Sequence, residues 1–194
     1  MRMGTCNRWL RLFVNLALAE MERVSTKPRP PVLFCLDEFP VLGHMQALEN
    51  AAGQIAGFGV KLWTIIQDIG QLKALYKQRW QTFLGNAGMV QVFGLNDLDT
   101  LEWVTKRLGT TSLVVRNKSD VSDRDATSSG RVGATWSIQT QPLLTVDEIA
   151  RLFGRRDPQA RQLILIPGFD PLVLQRINYD SHDYFAGRFD APDC

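Results

Sequence analysis

The stretch Val32-Leu33-Phe34-Cys35-Leu36-Asp37-Glu38-Phe39 decides how this chain is read. A short, continuous apolar run is the mark of a strand buried on both faces. This one delivers two adjacent carboxylates, Asp37 and Glu38, at its C-terminal end. In open α/β sheets, ligands bind outside that edge. A nucleotide site uses such a pair for two tasks. Asp37 would hold Mg2+, a small hard cation that takes oxygen ligands. Glu38 would orient and polarise an attacking water. A strand ending in Asp or Glu can equally cap the next helix, so the pair alone leaves both readings open.

Working outward, Val60 to Ile66 reads as a second buried strand, rich in β-branched and aromatic residues, and it ends in Gln67. Neighbouring parallel strands end at the same sheet edge, which would bring Gln67 beside Asp37 and Glu38. An amide both donates and accepts, which suits a residue that reads a γ-phosphate or the attacking water. A capping or turn role is the plain alternative for Gln67.

The rest of the first half keeps the same rhythm. Residues 7–24 carry apolar side chains at helix spacing, and Lys27-Pro28-Arg29-Pro30-Pro31 stops that helix. Helices are predicted over 46–56, 69–84 and 97–108, with a third strand over 89–93. Alternating strands and helices predict an α/β domain built on a mainly parallel sheet flanked by helices. After residue 115 the pattern breaks into a long polar loop, 116–131. Thr145 and Glu148 form a capping box that opens a short helix. Residues 162–166 and 172–177 are two strands of a C-terminal β-hairpin around Pro167-Gly168.

Composition narrows the class without naming it. The chain has 194 residues, 45% hydrophobic and 22% charged, which excludes collagen, coiled coil and wholesale disorder. The net charge of +2 conceals an asymmetry: residues 1–31 hold six basic residues against Glu20 and Glu22. Cys6, Cys35 and Cys194 are too scattered for a disulfide framework or a zinc site. No apolar run approaches the length of a membrane span. Arg79 and Arg107 are arginine-finger candidates by charge alone, and both are read more readily as cations on a solvated helix face. Arg151, Arg155, Arg156 and Arg161 form a basic cluster, read as a solvated helix end more readily than as a DNA contact. The five tryptophans are expected mostly in the core or in subunit interfaces, and His44 in a surface turn.

Taken together, these motifs resemble one family. Leu36-Asp37-Glu38-Phe39-Pro40-x-Leu42-Gly43 resembles the Walker B segment of the VirD4/TraG-type coupling proteins of type IV secretion and conjugation. Ile65-Ile66-Gln67-Asp68-x-x-Gln71-Leu72 resembles their sensor segment. Leu84-x-Asn86-Ala87, the helix from Asn96-Asp97 to Leu108-Gly109, and Pro142-Leu143-Leu144-Thr145-x-x-Glu148 follow in the family's order, although Gln141 stands where the family has Arg.

The resemblance implies a partial RecA-like P-loop NTPase fold. It assigns 1–31 as a basic helix and Pro-rich linker, 32–180 as the C-terminal portion of the nucleotide-binding domain, and 181–194 as an acidic tail. It implies ATP and Mg2+ as cofactors, with Asp37 as metal ligand, Glu38 activating water and Gln67 sensing the γ-phosphate. It also implies relaxase–DNA complexes or effector proteins as cargo, secretion-channel components as partners, DNA near the axis of a homo-hexamer, and a place at the cytoplasmic face of the bacterial inner membrane. The chain departs from the family in a second respect: it contains no Gly-Lys dipeptide, and so no phosphate-cradling loop with its lysine. The expectation is therefore a C-terminal segment of a motor, inactive by itself. The rival readings are a non-catalytic docking module or gene remnant, and a fragment of an FtsK/HerA-type DNA translocase.

Overall fold

The computed structural model describes residues 3–118 and 134–189. β1 (Val32–Leu36) and β2 (Val60–Thr64) form a parallel pair in which Cys35 faces Trp63 and Leu36 faces Thr64. The chain between them runs through a short 3-10 turn, Phe39–Leu42, and α2 (Gln46–Gln54). Gly59 turns the chain into β2 at φ 72°, where an added Cβ would lie 2.8 Å from Pro28 Cδ. Glycine is therefore needed there on both conformational and steric grounds.

α1 (Met3–Arg23) packs its Val14 and Leu18 side against this unit. α3 (Ile69–Tyr76) follows β2, and α4 (Trp80–Gly85) follows α3 after a turn. The single predicted helix over 69–84 is thus two helices. Lys77, at φ 48°, breaks them apart with neither proline nor glycine to announce it. Phe39, Leu42, Leu48, Leu72 and Tyr76 form the buried centre of this first core.

A second core gathers β3 (Val90–Val92), α5 (Leu98–Leu108), α6 (Val146–Leu152) and β6 (Arg161–Leu165) around Val104, Ile149, Phe153 and Leu163. Both helices are capped at their N-termini, which satisfies donors a helix start otherwise leaves open. The Asp97 carboxylate accepts from Thr100 N at 2.8 Å, and Thr145 with Glu148 makes the reciprocal capping box predicted from the sequence. The two cores meet where α3 lies against α5. There Ile69 N–H donates to the Thr100 hydroxyl at 3.0 Å, and Lys73 pairs with Asp99 at 2.7 Å.

The sheet expectation needs correction. Among the described residues, β1–β2 is the one parallel pair of strands; an isolated parallel bridge links Leu95 to Gly154 elsewhere, in the second core. β3 does not extend that pair; it runs antiparallel to β6, with Val90 opposite Leu165. An apolar run reports burial, not the direction of the strand beside it. The C-terminal hairpin is present, with β6 antiparallel to β7 (Leu172–Gln175).

A second hairpin was not foreseen. β4 (Thr110–Lys118) pairs antiparallel over nine rungs with β5 (Ala134–Pro142), so residues 116–118 lie in a strand, not in a loop. The remainder of the predicted loop, 119–131, lies outside the described residues, as do 190–194 of the acidic tail. The ribbon exposes Val114, Trp136 and Ile138, with the Arg116 guanidinium 5.7 Å from the Trp136 ring centre. It is held at its base, where Leu143 N–H donates to Gly109 O. Of the five tryptophans, Trp9, Trp63 and Trp136 are exposed in the single chain and so lie outside its core.

Candidate functional site

Two backbone hydrogen bonds lock the ends of β1 and β2 together beyond the last strand residues. Ile65 N donates to Leu36 O at 3.0 Å, and Phe39 N donates to Ile65 O at 3.1 Å. The chain therefore turns immediately after the acidic pair. Glu38 makes that turn in the left-handed region, φ 49° and ψ 44°, which is costly for a residue with a side chain. Its N–H donates to Asp37 Oδ1 at 3.0 Å.

What holds Glu38 in this conformation lies directly behind it. Phe39 is fully buried and stacks parallel to Tyr76, with ring centres 5.8 Å apart, while Phe83 tilts against both. A buried aromatic at this position fixes the turn, so the carboxylates of Asp37 and Glu38 stay exposed at the strand end.

The same edge carries Gln67. It lies in a bend just beyond β2, and the extended Asp68 that follows caps α3, its carboxylate accepting from Gln71 N at 2.7 Å. The Gln71 side-chain oxygen accepts from Gln67 N at 3.4 Å. Asp37, Glu38, Gln67 and Gln71 line one open cleft, whose apolar wall is made by Pro40, Val41, Ile65 and Ile66. The sequence-predicted residues Asp37, Glu38 and Gln67 are thus brought together. Two adjacent exposed carboxylates form a hard oxygen donor set. Mg2+ bound with a phosphate ligand takes one or two carboxylates and fills its other positions with water and phosphate oxygens, so the residues present fit that ion.

The sequence reading missed a buried carboxylate behind the cleft. Glu49, on the first turn of α2, is only 6% exposed. Its Oε2 meets His44 Nε2 at 3.0 Å, and its Oε1 accepts from Arg79 Nη1. The His44 bond, reinforced by the Arg79 charge and opposed by desolvation, holds this carboxyl below the usual carboxylate range. His44 is therefore tied down and leans on the Tyr76 ring, 5.1 Å between centres. Arg79, read as a solvated cation, is the ion-pair partner of Glu49. No sequence signal marked this group, because Glu49 sits at a position that looks like an ordinary helix surface.

Two arginines of the predicted basic cluster are likewise engaged. Arg161 makes a two-pronged contact with Asp157, from Nη2 at 2.7 Å and from Nε at 3.1 Å, and Arg151 pairs with Asp147. The Arg161 guanidinium, with the backbone N–H groups of Arg161 and Gln159, pushes the Asp157 carboxyl far below its usual range. No helix among the described residues is long and apolar enough to cross a membrane.

Comparison with known proteins gives this geometry its context. Residues 3–191 match the family described as Type IV secretory system Conjugative DNA transfer. The chain is 30% identical over 194 residues to the conjugal transfer protein TraG of Escherichia coli, covering 93% of this chain and 31% of TraG. It is 30% identical over 154 residues to the VirD4 protein of Agrobacterium fabrum, covering 79% of this chain and 22% of VirD4. The chain spans less than a third of the length of these curated relatives.

Among solved structures, the unbound bacterial conjugative coupling protein TrwBΔN70 superposes with a TM-score of 0.67 at 16% identity, over 89% of this chain and 38% of that one. The plasmid coupling protein TrwB in complex with ADP and Mg2+ superposes with a TM-score of 0.59 at 14% identity, over 88% and 37%. At such identities the structures speak for the fold, a mixed α/β arrangement that matches part of TrwB. The profile match over nearly the whole chain and the TraG and VirD4 identities carry the assignment: this chain belongs to the type IV secretion coupling protein family, the family of TraG, VirD4 and TrwB.

Proposed function

We propose that this chain supplies the acidic-strand half of the nucleotide site in an ATP-driven coupling protein. The observation that carries the reading is the convergence of Asp37, Glu38 and Gln67 on one cleft at the C-terminal ends of two parallel strands. Asp37 would hold Mg2+, which when bound with the nucleotide neutralises phosphate charge. Glu38, held by the turn over Phe39, would accept a hydrogen bond from a water and aim it at the terminal phosphate. The Gln67 amide would donate to a phosphate oxygen while accepting from that water. The chain has no Gly-Lys dipeptide, so on this reading the phosphate-cradling loop comes from outside these 194 residues.

Within a complete motor, the cargo would be a relaxase–DNA complex or effector proteins passed to a type IV secretion channel. The working assembly would be a homo-hexamer at the cytoplasmic face of the inner membrane.

The test is a chimera in which this chain replaces the matching segment of Escherichia coli TraG. Mg2+-dependent ATP turnover is expected from the chimera and not from the isolated chain. Glu38→Gln should lower the chimera's turnover on the order of 100-fold while nucleotide binding persists. Turnover unchanged by Glu38→Gln and Asp37→Asn, or Mg2+-dependent turnover by the isolated chain, would sink the reading.

A further inference from the structure

Among the described residues, the non-glycine residues with positive φ are Glu38, Lys77 and Ala160. Two of them flank one contact. Glu38 precedes Phe39 and Lys77 follows Tyr76, and the Phe39 and Tyr76 rings stack with centres 5.8 Å apart and 8° between their planes. A residue with a side chain keeps such a backbone only where its surroundings over-determine it. The ring stack does so for both. Glu38 lies on the acidic side of the cleft, and Lys77 ends the helix that begins just beyond Gln67. One pair of rings therefore joins the two walls of the cleft: the turn that carries Asp37 and Glu38, and α3, which carries Gln71.

Tyr76 is gripped from two more segments. The Phe83 ring of α4 tilts onto it with centres 4.5 Å apart, and the His44 ring at 5.1 Å. His44 is bonded to Glu49, which also pairs with Arg79 in the turn just after Tyr76. The Glu49 carboxylate thus clamps the ring between α2 and the end of α3. From the other side, Arg11 of α1 donates to Leu42 O at 2.9 Å and holds the far end of the turn that Phe39 opens. The Tyr76 hydroxyl, near the Met45 backbone, makes no hydrogen bond of ordinary geometry among the described residues. What this residue contributes is its ring.

We propose that Tyr76 is a positioning residue that couples the two walls of the cleft, holding through Phe39 the turn that aims Glu38 and through α3 the placement of Gln67 and Gln71. The proposal rests on the nucleotide reading above and deepens it. A water aimed by Glu38 and a phosphate read by Gln67 keep a fixed spacing because one ring sits behind both.

Amide hydrogen exchange followed by NMR reads the coupling in the chain by itself. Phe39 N–H donates to Ile65 O and Val41 N–H to Glu38 O, so these amides report on the turn, whereas Ile65 N–H, bonded to Leu36 O, reports on the strand pair. Gln71 N–H, bonded to the Asp68 carboxylate, reports on the start of α3. Tyr76→Leu removes the stack and keeps an apolar side chain. It is expected to speed exchange at Phe39, Val41 and Gln71 on the order of tenfold more than at Ile65. Tyr76→Phe is expected to match the parent at all four amides, because the ring remains. Equal acceleration at all four overturns the proposal, since that is a loss of stability alone. Acceleration in the turn without Gln71 also overturns it, because the walls are then uncoupled. Where Tyr76→Leu does not melt cooperatively, His44→Ala decides, at an exposed position that strips one side of the ring without emptying the core. The same three amides are expected to exchange selectively faster in it, and a lack of selectivity overturns the proposal.

Turnover in the TraG chimera gives a readout that a purely structural role would not move. Tyr76→Leu is expected to lower kcat on the order of tenfold with KM for ATP little changed. In the Glu38→Gln background its effect is expected to be several-fold smaller, because much of it is exerted through Glu38. Fully multiplicative losses in the double variant overturn the proposal. The two readings fail separately: a parent chimera without turnover defeats the nucleotide reading alone, the exchange pattern then deciding the coupling, and turnover with unselective exchange defeats the coupling alone.

Discussion

Ile69 donates its backbone N–H to the Thr100 hydroxyl at 3.0 Å, and this bond joins the two hydrophobic cores at a buried point. Thr100 thereby serves two helices, since its own N–H is taken by Asp97 at the start of α5. Thr100→Val keeps the shape and leaves the Ile69 N–H without its acceptor. The expected loss is about 1–3 kcal/mol by urea unfolding, with Thr100→Ser retaining most of the stability. Equal stability of the Val variant and the parent would remove the bond from the account.

Glu49 makes stability depend on acid in a definite direction. Its carboxyl titrates below the usual range in the folded chain because His44 and Arg79 hold its charged form. A group lowered in this way contributes stability that is fully present above the usual carboxylate range. That contribution is lost as pH falls through the lowered value. The melting temperature of the parent should therefore exceed that of Glu49→Gln near neutrality, and the gap should narrow as pH falls below about 4.5. Comparing the two proteins cancels other acid-sensitive groups such as Asp157. A gap that stays constant down to pH 3 contradicts the assignment.

Glu38 pays for its position with backbone strain, and glycine relieves it. Glu38→Gly should be as stable as the parent or up to about 1 kcal/mol more stable, the relief being partly offset by a looser unfolded chain. In the chimera it should abolish turnover. A Gly variant clearly less stable than the parent in thermal melts would mean that the Glu38 side chain supports the fold.

Thr145 caps α6 through the reciprocal contact with Glu148. Thr145→Ala should cost about 1 kcal/mol by denaturant titration, whereas Thr145→Ser should cost little. The Glu148 carboxyl, lowered first by the Thr145 backbone N–H, should titrate closer to its usual range in the Ala variant if loss of the cap loosens that contact, which carboxyl NMR would follow.

The convergence of the candidate site residues was legible because they sit at the ends of apolar runs: Asp37-Glu38 and Gln67 each follow a strand that periodicity can find. The Thr145–Glu148 capping box and the β6–β7 hairpin were legible for similar reasons, since turn and cap residues act locally. Strand partners were not. Val90–Val92 looks the same in sequence whether it lies beside β2 or, as observed, antiparallel to β6. β5 was missed because Ser137, Gln139 and Gln141 alternate with Trp136, Ile138 and Thr140 on a ribbon with no buried face to sharpen the pattern. Glu49 was missed because a buried carboxylate becomes tolerable only through His44 and Arg79, which approach it from other segments.

The β4–β5 ribbon has the proportions of a lever arm. Its nine rungs reach about 27 Å from the Thr110–Pro142 base to the Lys118–Ala134 pair, at ~3.4 Å per step. Its base is continuous with α5, and α5 is bonded to the helix that starts just after Gln67. Over that length, a tilt of about 10° at the base carries the far rung about 5 Å. A tilt too small to notice at the base would become, at the end of the ribbon, a displacement longer than a hydrogen bond.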